Sequence, residues 1–434
     1  MRGRFGFVTP VWSRPLLNPV WRIAILLAIL MSSLSLTQPG VAASHTASPK
    51  PAATSTTKPK PAAKPAAQKP AAKPAPAAPI DVVIPQLLVD MATGNVLYAK
   101  DAGVPWHPAS LTKLMTAYVT FQAIEQGRVT LDSKVTMSVK AVNEEPARSG
   151  LPAGDTLSLK DALYIMLVKS ANDMAVAIAE AVDGSTDAFV AEMNSTASKL
   201  GLSRTHYDNV NGLPDDGQIT TARDLAVLAI DLRRTFPQYD PIFRTHMVTI
   251  DKINLRTNNE LLTRFAGTTG MKTGYVCGSG LNVVATVNRN GRELMAVILG
   301  GSSARERDQM AAEMLLKGFS GGYTDTGRSV VNVTDDMDAP VHDMKPLLCG
   351  KQAKAYVSQR LKDYPMGLRG QQSFLTDKLT GDVYAATDFG KPGAPITPSG
   401  DEDATAQGDA ATDDPTPAAP ATAPPTPQAR PASH

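Results

Sequence analysis

Three short groups of polar residues stand out because together they could run an acyl transfer: Ser110-Leu111-Thr112-Lys113, Ser170-Ala171-Asn172 and Lys272-Thr273-Gly274. A serine hydroxyl attacks a carbonyl only once a base takes its proton, and a lysine serves as that base when burial or a neighbouring cation disfavours its charge. On a helix, Ser110 and Lys113 lie one turn apart on one face, so the amine reaches the hydroxyl. A helix N-terminus at Ser110 adds a favourable field and a backbone N–H for a developing oxyanion. Ser170 is the candidate proton relay, bonded to Lys113 and serving the departing amine, and Asn172 is the candidate for orienting Lys113 and a substrate amide. Lys272 is the candidate neighbouring cation and, with Thr273, a holder for a substrate carboxylate. Gly274 leaves room for substrate backbone against a strand.

Each group alone has a plainer reading. Ser110 could be a simple N-cap with Lys113 in solvent, Ser170 and Asn172 could cap a turn between helices, and Lys272 could sit exposed on an edge strand. Ser-x-x-Lys arises by chance about once in a few hundred residues, whereas Lys-Thr-Gly arises about once in several thousand. What favours the chemical reading is their order combined with the elements expected around them.

Those elements follow from periodicity. Gln86 to Lys100 reads as two apolar strands around an Ala92-Thr93-Gly94-Asn95 turn. Leu111, Leu114, Met115, Tyr118, Val119 and Ile124 recur near helical spacing from Ser110 until Gly127, so Ser110 opens a helix. A second helix is expected over about 159–182, interrupted by polar residues at Ser170 to Asp173, and a third near 188–200. Thr221-Ala222-Arg223-Asp224 signals the start of a fourth. Strands are expected near 271–275, 281–287 and 293–299, with an Asn290-Gly291 turn between the last two, and a final helix over about 304–319. Strands at both ends with helices between them predict an α+β fold: one antiparallel sheet covered by helices, with a helical subdomain.

The rest of the 434 residues is subtracted from this body. Residues 1–43 carry early arginines, an apolar run from Ile23 to about Leu36 and small residues at Val41, Ala42 and Ala43, the order of a secretory signal. The run is short for a span of about 20 residues, which favours cleavage after Ala43 over a retained anchor. Residues 44–80 (Pro/Ala/Lys) and 392–434 (acidic, Pro/Ala) read as disordered linkers. The catalytic domain is therefore expected over 81–320, and 321–391, weakly patterned, as a small β-rich C-terminal appendage. A net charge of +2 with no basic stripe argues against nucleic acid. The basic proximal linker leaves room for peripheral contact with membrane or wall polymer. Two cysteines, Cys277 and Cys349, and no paired histidine spacing exclude a four-cysteine zinc site; no metal or cofactor is expected. The cysteines either pair or remain two buried thiols.

The motifs, together with Pro108-Ala109 before the serine, Thr205-His206-Tyr207, Asn211-Gly212-Leu213 and Thr221-Ala222-Arg223-Asp224, resemble the low-molecular-mass penicillin-binding proteins, serine-type D-alanyl-D-alanine carboxypeptidases related to the serine β-lactamases. The resemblance runs from about Ile84 to Phe319. It implies a DD-peptidase/β-lactamase-like fold and an exported protein of the periplasm or cell envelope. It further implies a Ser110 acyl-enzyme formed on a peptidoglycan stem peptide, β-lactams as covalent inhibitors, and the Tyr275 N–H as second oxyanion donor. Two departures stand out: Tyr275 replaces a frequent histidine, and Ser302 replaces an arginine, leaving Arg305 or Arg307 as candidates to help hold a carboxylate. A β-lactamase is the enzymatic rival, but Ser203 to Pro214 offers Asp208 and no glutamate as hydrolytic base. A non-catalytic wall-binding or β-lactam-sensing protein is the other.

Overall fold

The computed structural model describes residues 82–387. The chain opens with the expected hairpin, β1 (Gln86–Asp90) and β2 (Val96–Lys100). A 3₁₀ turn over Ala109–Thr112 leads into α1 (Lys113–Glu125), followed by β3 (Lys134–Thr136), α2 (Val139–Val142) and β4 (Thr156–Ser158). The helical middle comprises α3 (Leu159–Val168), α4 (Asn172–Asp183), α5 (Thr186–Lys199) and α6 (Ala222–Thr235). Next come α7 (Asp240–Arg244), β5 (Thr245–Ile250), β6 (Ile253–Arg256) and α8 (Leu261–Arg264). The chain returns to the sheet with β7 (Thr268–Val276), β8 (Gly280–Arg289) and β9 (Arg292–Gly301), then forms α9 (Ala304–Phe319). Beyond it lie α10 (Lys345–Leu348), α11 (Ala353–Asp363) and β10 (Asp382–Ala386).

The main sheet is antiparallel with strand order β2-β1-β9-β8-β7, so the first hairpin closes against the last strands and β7 is left on an edge. Side chains alternate between its faces. Leu87, Val89, Val284, Met295 and Val297 pack with the helical middle, whereas Leu88, Val283, Ala285 and Ile298 pack with Ala311 and Leu315 of α9. Asn290 and Gly291 both take positive φ (53° and 80°), the geometry that the Asn-Gly pair predicts for a two-residue hairpin turn. Helix starts are set by hydroxyl caps: Ser158, Thr221 and Ser303 accept from the backbone N–H of Asp161, Asp224 and Glu306. Helix α1 is buried on every side from Lys113 to Phe121, which is why its apolar residues show little sidedness.

Two features depart from expectation. The sequence shows no sign of the short β3–β4 pair or of the three-stranded sheet β10-β5-β6. Among its described residues, the segment expected as a β-rich appendage carries a 3₁₀ turn over Val330–Asn332, two α-helices and one strand, β10, which pairs in parallel with β5. It is tied to the catalytic body along its length. Asp335 accepts from Thr221 and Ser203 at 2.8 and 2.5 Å, and Cys349 forms a disulfide with Cys277. The leader-like, linker and tail readings for 1–43, 44–80 and 392–434 lie outside the described residues.

Candidate active site

The 3₁₀ turn holding Ser110 is gripped by main chain on two sides. Gly274 of β7 lies so close that a Cβ there would come within 2.9 Å of the Ser110 nitrogen. On the other side a Cβ at Gly212 would meet the Ala109 carbonyl oxygen at 1.9 Å, and Gly212 itself has φ +90°. Ala109 takes φ +48°, an unfavourable left-handed conformation for a residue with a Cβ, and persists there because this packing over-determines it. Asn209 helps fix the clasp, its Oδ1 accepting from the Gly212 N–H at 2.7 Å. Thr116 Oγ1 adds a hydrogen bond to the Val210 carbonyl at 2.6 Å.

Directly below, Lys113 is fully buried. Its ammonium donates to Ser110 Oγ at 2.9 Å, Asn172 Oδ1 at 2.6 Å and the Asn211 main-chain oxygen at 2.7 Å. A lysine in such a place costs free energy unless its donors are met, and these acceptors come from three segments of the chain. Asn172 is fixed in turn, its amide donating to the carbonyls of Glu145 and Pro146 at 2.9 and 3.0 Å. The neighbouring Asp173 accepts from the Ser149 N–H and hydroxyl at 2.8 and 2.6 Å. Burial pushes the Asp173 carboxyl above its ordinary range, and these hydrogen bonds oppose the shift.

The break between α3 and α4 presents Ser170, whose φ of +68° is again left-handed. Its Oγ accepts from Lys272 Nζ at 2.8 Å, and that ammonium, itself almost fully buried, also donates to the Thr273 carbonyl at 2.9 Å. The second and third motifs are therefore joined directly, a contact the sequence reading did not assign. Ser110, Ser170, Asn172, Thr273, Gly274 and Tyr275 all line one cleft of about 880 Å³. The structure thus gathers all eight residues singled out from sequence on or just beneath a common cleft.

Of the two arginines considered for carboxylate binding, Arg307 lines the cleft, its guanidinium paired with Asp308 at 2.7 Å and bonded to the Asn258 carbonyl at 2.8 Å. Arg305 instead donates to the Met366 carbonyl on the C-terminal segment. Ser302, noted in the sequence as a departure from an arginine that some members of the resembled family carry, is buried and bonds the Glu306 carboxylate through both its N–H and its hydroxyl at 2.9 and 2.6 Å. Asp208, weighed as a hydrolytic base, pairs with His206 at 3.1 Å. Sequence reasoning missed the Asn211 carbonyl as a partner of Lys113; the Asn211-Gly212-Leu213 stretch was a signal, but a main-chain acceptor leaves no side-chain signature. It also missed Val341, Asp343 and Lys345, which line the cleft from the C-terminal segment.

Comparison with known proteins agrees with this geometry. The D-alanyl-D-alanine carboxypeptidase family model matches residues 78–303, more than half of the chain. The chain is 36% identical over 240 residues to the D-alanyl-D-alanine carboxypeptidase DacC of Escherichia coli, covering 54% of this chain and 60% of that one. It is 31% identical over 238 residues to DacF of Bacillus subtilis, covering 54% and 61%. The match spans about three fifths of the length of these relatives. Among solved structures, penicillin binding protein 6B from Escherichia coli superposes with a TM-score of 0.52 at 35% identity, covering 57% of this chain and 79% of that one. A hydroxyl, two lysines and a glycine-lined strand meeting in one cleft, within the segment the family model covers, establish that the chain belongs to the D-alanyl-D-alanine carboxypeptidase family.

Proposed function

We propose that the protein is a serine-type D-alanyl-D-alanine carboxypeptidase that removes the terminal D-alanine from the peptidoglycan stem pentapeptide. The observation that carries this reading is the 2.9 Å contact between Ser110 Oγ and the buried Lys113 amine, beside a strand edge bearing Lys272, Thr273 and Gly274. In this reading Lys272 and Thr273 hold the terminal carboxylate, a charge-assisted contact that selects an exopeptidase. Lys113, as the neutral amine, takes the Ser110 proton while Oγ bonds to the carbonyl carbon of the penultimate D-alanine. The oxyanion is met by the N–H groups of Ser110 and Tyr275. Ser170 relays the proton to the departing D-alanine nitrogen, and water then hydrolyses the ester to release the shortened peptide and the free serine. Asn172 keeps the Lys113 amine on line and faces the substrate amide.

β-Lactams acylate the same hydroxyl and keep their leaving group tethered, so they act as covalent inhibitors. The secretory-signal pattern of residues 1–43 supports an exported protein that works in the periplasm or cell envelope. Incubation with a D-Ala-D-Ala pentapeptide and assay of free D-alanine tests the reading. Wild type releases D-alanine and takes up labelled penicillin, while Ser110→Ala loses both, with release down on the order of 10⁴-fold or more. Absence of release by wild type, or full release by Ser110→Ala, refutes it.

A further inference from the structure

The chain between α2 and β4 lines the cleft with Glu145, Pro146 and Ala147, and the same stretch bonds both asparagines that hold the Lys113 amine. Asn172 gives it both amide hydrogens, donating to the Glu145 and Pro146 carbonyls at 2.9 and 3.0 Å. Asn211 donates from its side-chain amide to Glu144 Oε2 at 2.9 Å. The stretch is itself fastened to the start of α4. The Asn172 N–H donates to the Ala147 carbonyl at 2.7 Å, and Ser149 donates to the Asp173 carboxylate through its N–H and its hydroxyl.

These bonds decide which end of each amide faces the lysine. A main-chain carbonyl only accepts, so the Asn172 NH2 turns to the stretch and Oδ1 is left for Lys113 Nζ, 2.6 Å away. At Asn211 a main-chain N–H settles the orientation from the other end: Leu213 donates to Oδ1 at 3.0 Å, so the NH2 points at Glu144. With its side chain held at both ends, buried Asn211 presents its main-chain oxygen to Lys113 Nζ at 2.7 Å. Glu144 is half-buried and pairs with no cation among the described residues, so Asn211 is the group its carboxylate engages. Alignment of this amine matters because a displacement of about 1 Å in a reacting group costs rate on the order of 10²-fold.

We propose that Glu144 is a positioning residue for the acyl transfer: through the Asn211 side chain it sets the main-chain oxygen that, together with Asn172, aims the Lys113 amine at Ser110. The inference rests on the carboxypeptidase reading, in which that amine takes the serine proton. Glu144 touches neither the serine nor the lysine through any printed bond of its own; its effect passes through Asn211.

The test uses the full, disulfide-intact chain and single-turnover acylation by labelled penicillin, whose concentration dependence separates the maximal rate from the binding step before it. Rates are taken per site counted by end-point labelling, so misfolded protein does not pass for slow protein. Glu144→Ala lowers the maximal rate about tenfold and leaves the binding constant within about twofold. Glu144→Gln, which keeps an acceptor oxygen without the charge, recovers most of that loss. Asn211→Ala keeps the main-chain oxygen but removes the link, so it is slow by itself and adding Glu144→Ala slows it no further. A Glu144→Ala rate equal to wild type, a Glu144→Gln variant as slow as Glu144→Ala, or additive losses in the double variant overturn the inference while leaving the carboxypeptidase reading intact. Wild type that neither takes up penicillin nor releases D-alanine from the pentapeptide overturns both.

Discussion

Lys113 lies beneath the cleft and Asp343 stands on its rim, and the two are held in place by opposite means. Lys113 is fully buried, and its ammonium is met by a hydroxyl, an amide oxygen and a main-chain carbonyl from three segments. Asp343 is exposed on a turn whose position depends on a disulfide, one buried methionine and a ring stack. The floor consists of groups whose chemistry the proposed reaction requires, positioned by the sheet and the helical middle. The wall formed by Val341, Asp343 and Lys345 is positioned by a few discrete anchors. Rate should therefore be sensitive to the floor, and stability to the wall.

The largest expected effect comes from removing the amine. Lys113→Met takes away the base and leaves the Asn172 and Asn211 oxygens without their lysine donor, so penicillin acylation and D-alanine release fall on the order of 10³-fold. Single-turnover acylation read beside a thermal melt checks this; a melt that collapses together with activity would erase the division between floor and wall. Reducing the disulfide comes next. Closing a loop across 72 residues limits the unfolded chain by an amount worth about 4 kcal/mol as a ceiling. Urea midpoints should drop on reduction, with the acylation rate far less affected than by Lys113→Met. A reduced protein with an unchanged midpoint would remove the anchor from the comparison.

The smallest effect concerns pH at the joint between wall and body. Asp224 on α6 is buried, and burial together with the nearby Asp335 carboxylate pushes its pKa up to about 6, against the opposing pull of Arg223, Thr205 and the Arg204 N–H. An acid raised in the folded state keeps more protons folded than unfolded, so its contribution is fully present below 3.8 and is lost as pH rises through about 6. Asp335→Asn removes the second of these causes and should flatten the decline in melting temperature across that window by a few degrees. An unaltered slope would show that burial alone sets it.

Much of the site was legible because its chemistry restricts residue type. Ser110, Lys113, Lys272 and Thr273 announce themselves by spacing, and the polar interruption at Ser170 and Asn172 marks the break between α3 and α4. The strands of the main sheet were legible for a related reason, since they are flanked by Gly and Asn turns and are long enough to show a pattern. The Ser170–Lys272 bond was not legible, because it joins residues 102 apart in sequence through distances that only packing sets. Strands β3 and β4, three residues each, are too short for periodicity to register. The wall escaped notice for a different reason. Val341 and Asp343 sit in irregular chain and Lys345 opens the four-residue α10, a stretch too short and too sparsely anchored to leave a repeat in the sequence.

The two glycines that flank the Ser110 turn have a consequence for transplanting this chemistry. Because Gly212 and Gly274 bring bare main chain against the turn, the hydroxyl is located by the meeting of a loop and a strand, and its own helix only supplies the amine. Moving the Ser-x-x-Lys tetrapeptide onto the start of a helix in another scaffold would reproduce the pair without its vice, and the hydroxyl would be free to turn away from the carbonyl it must attack.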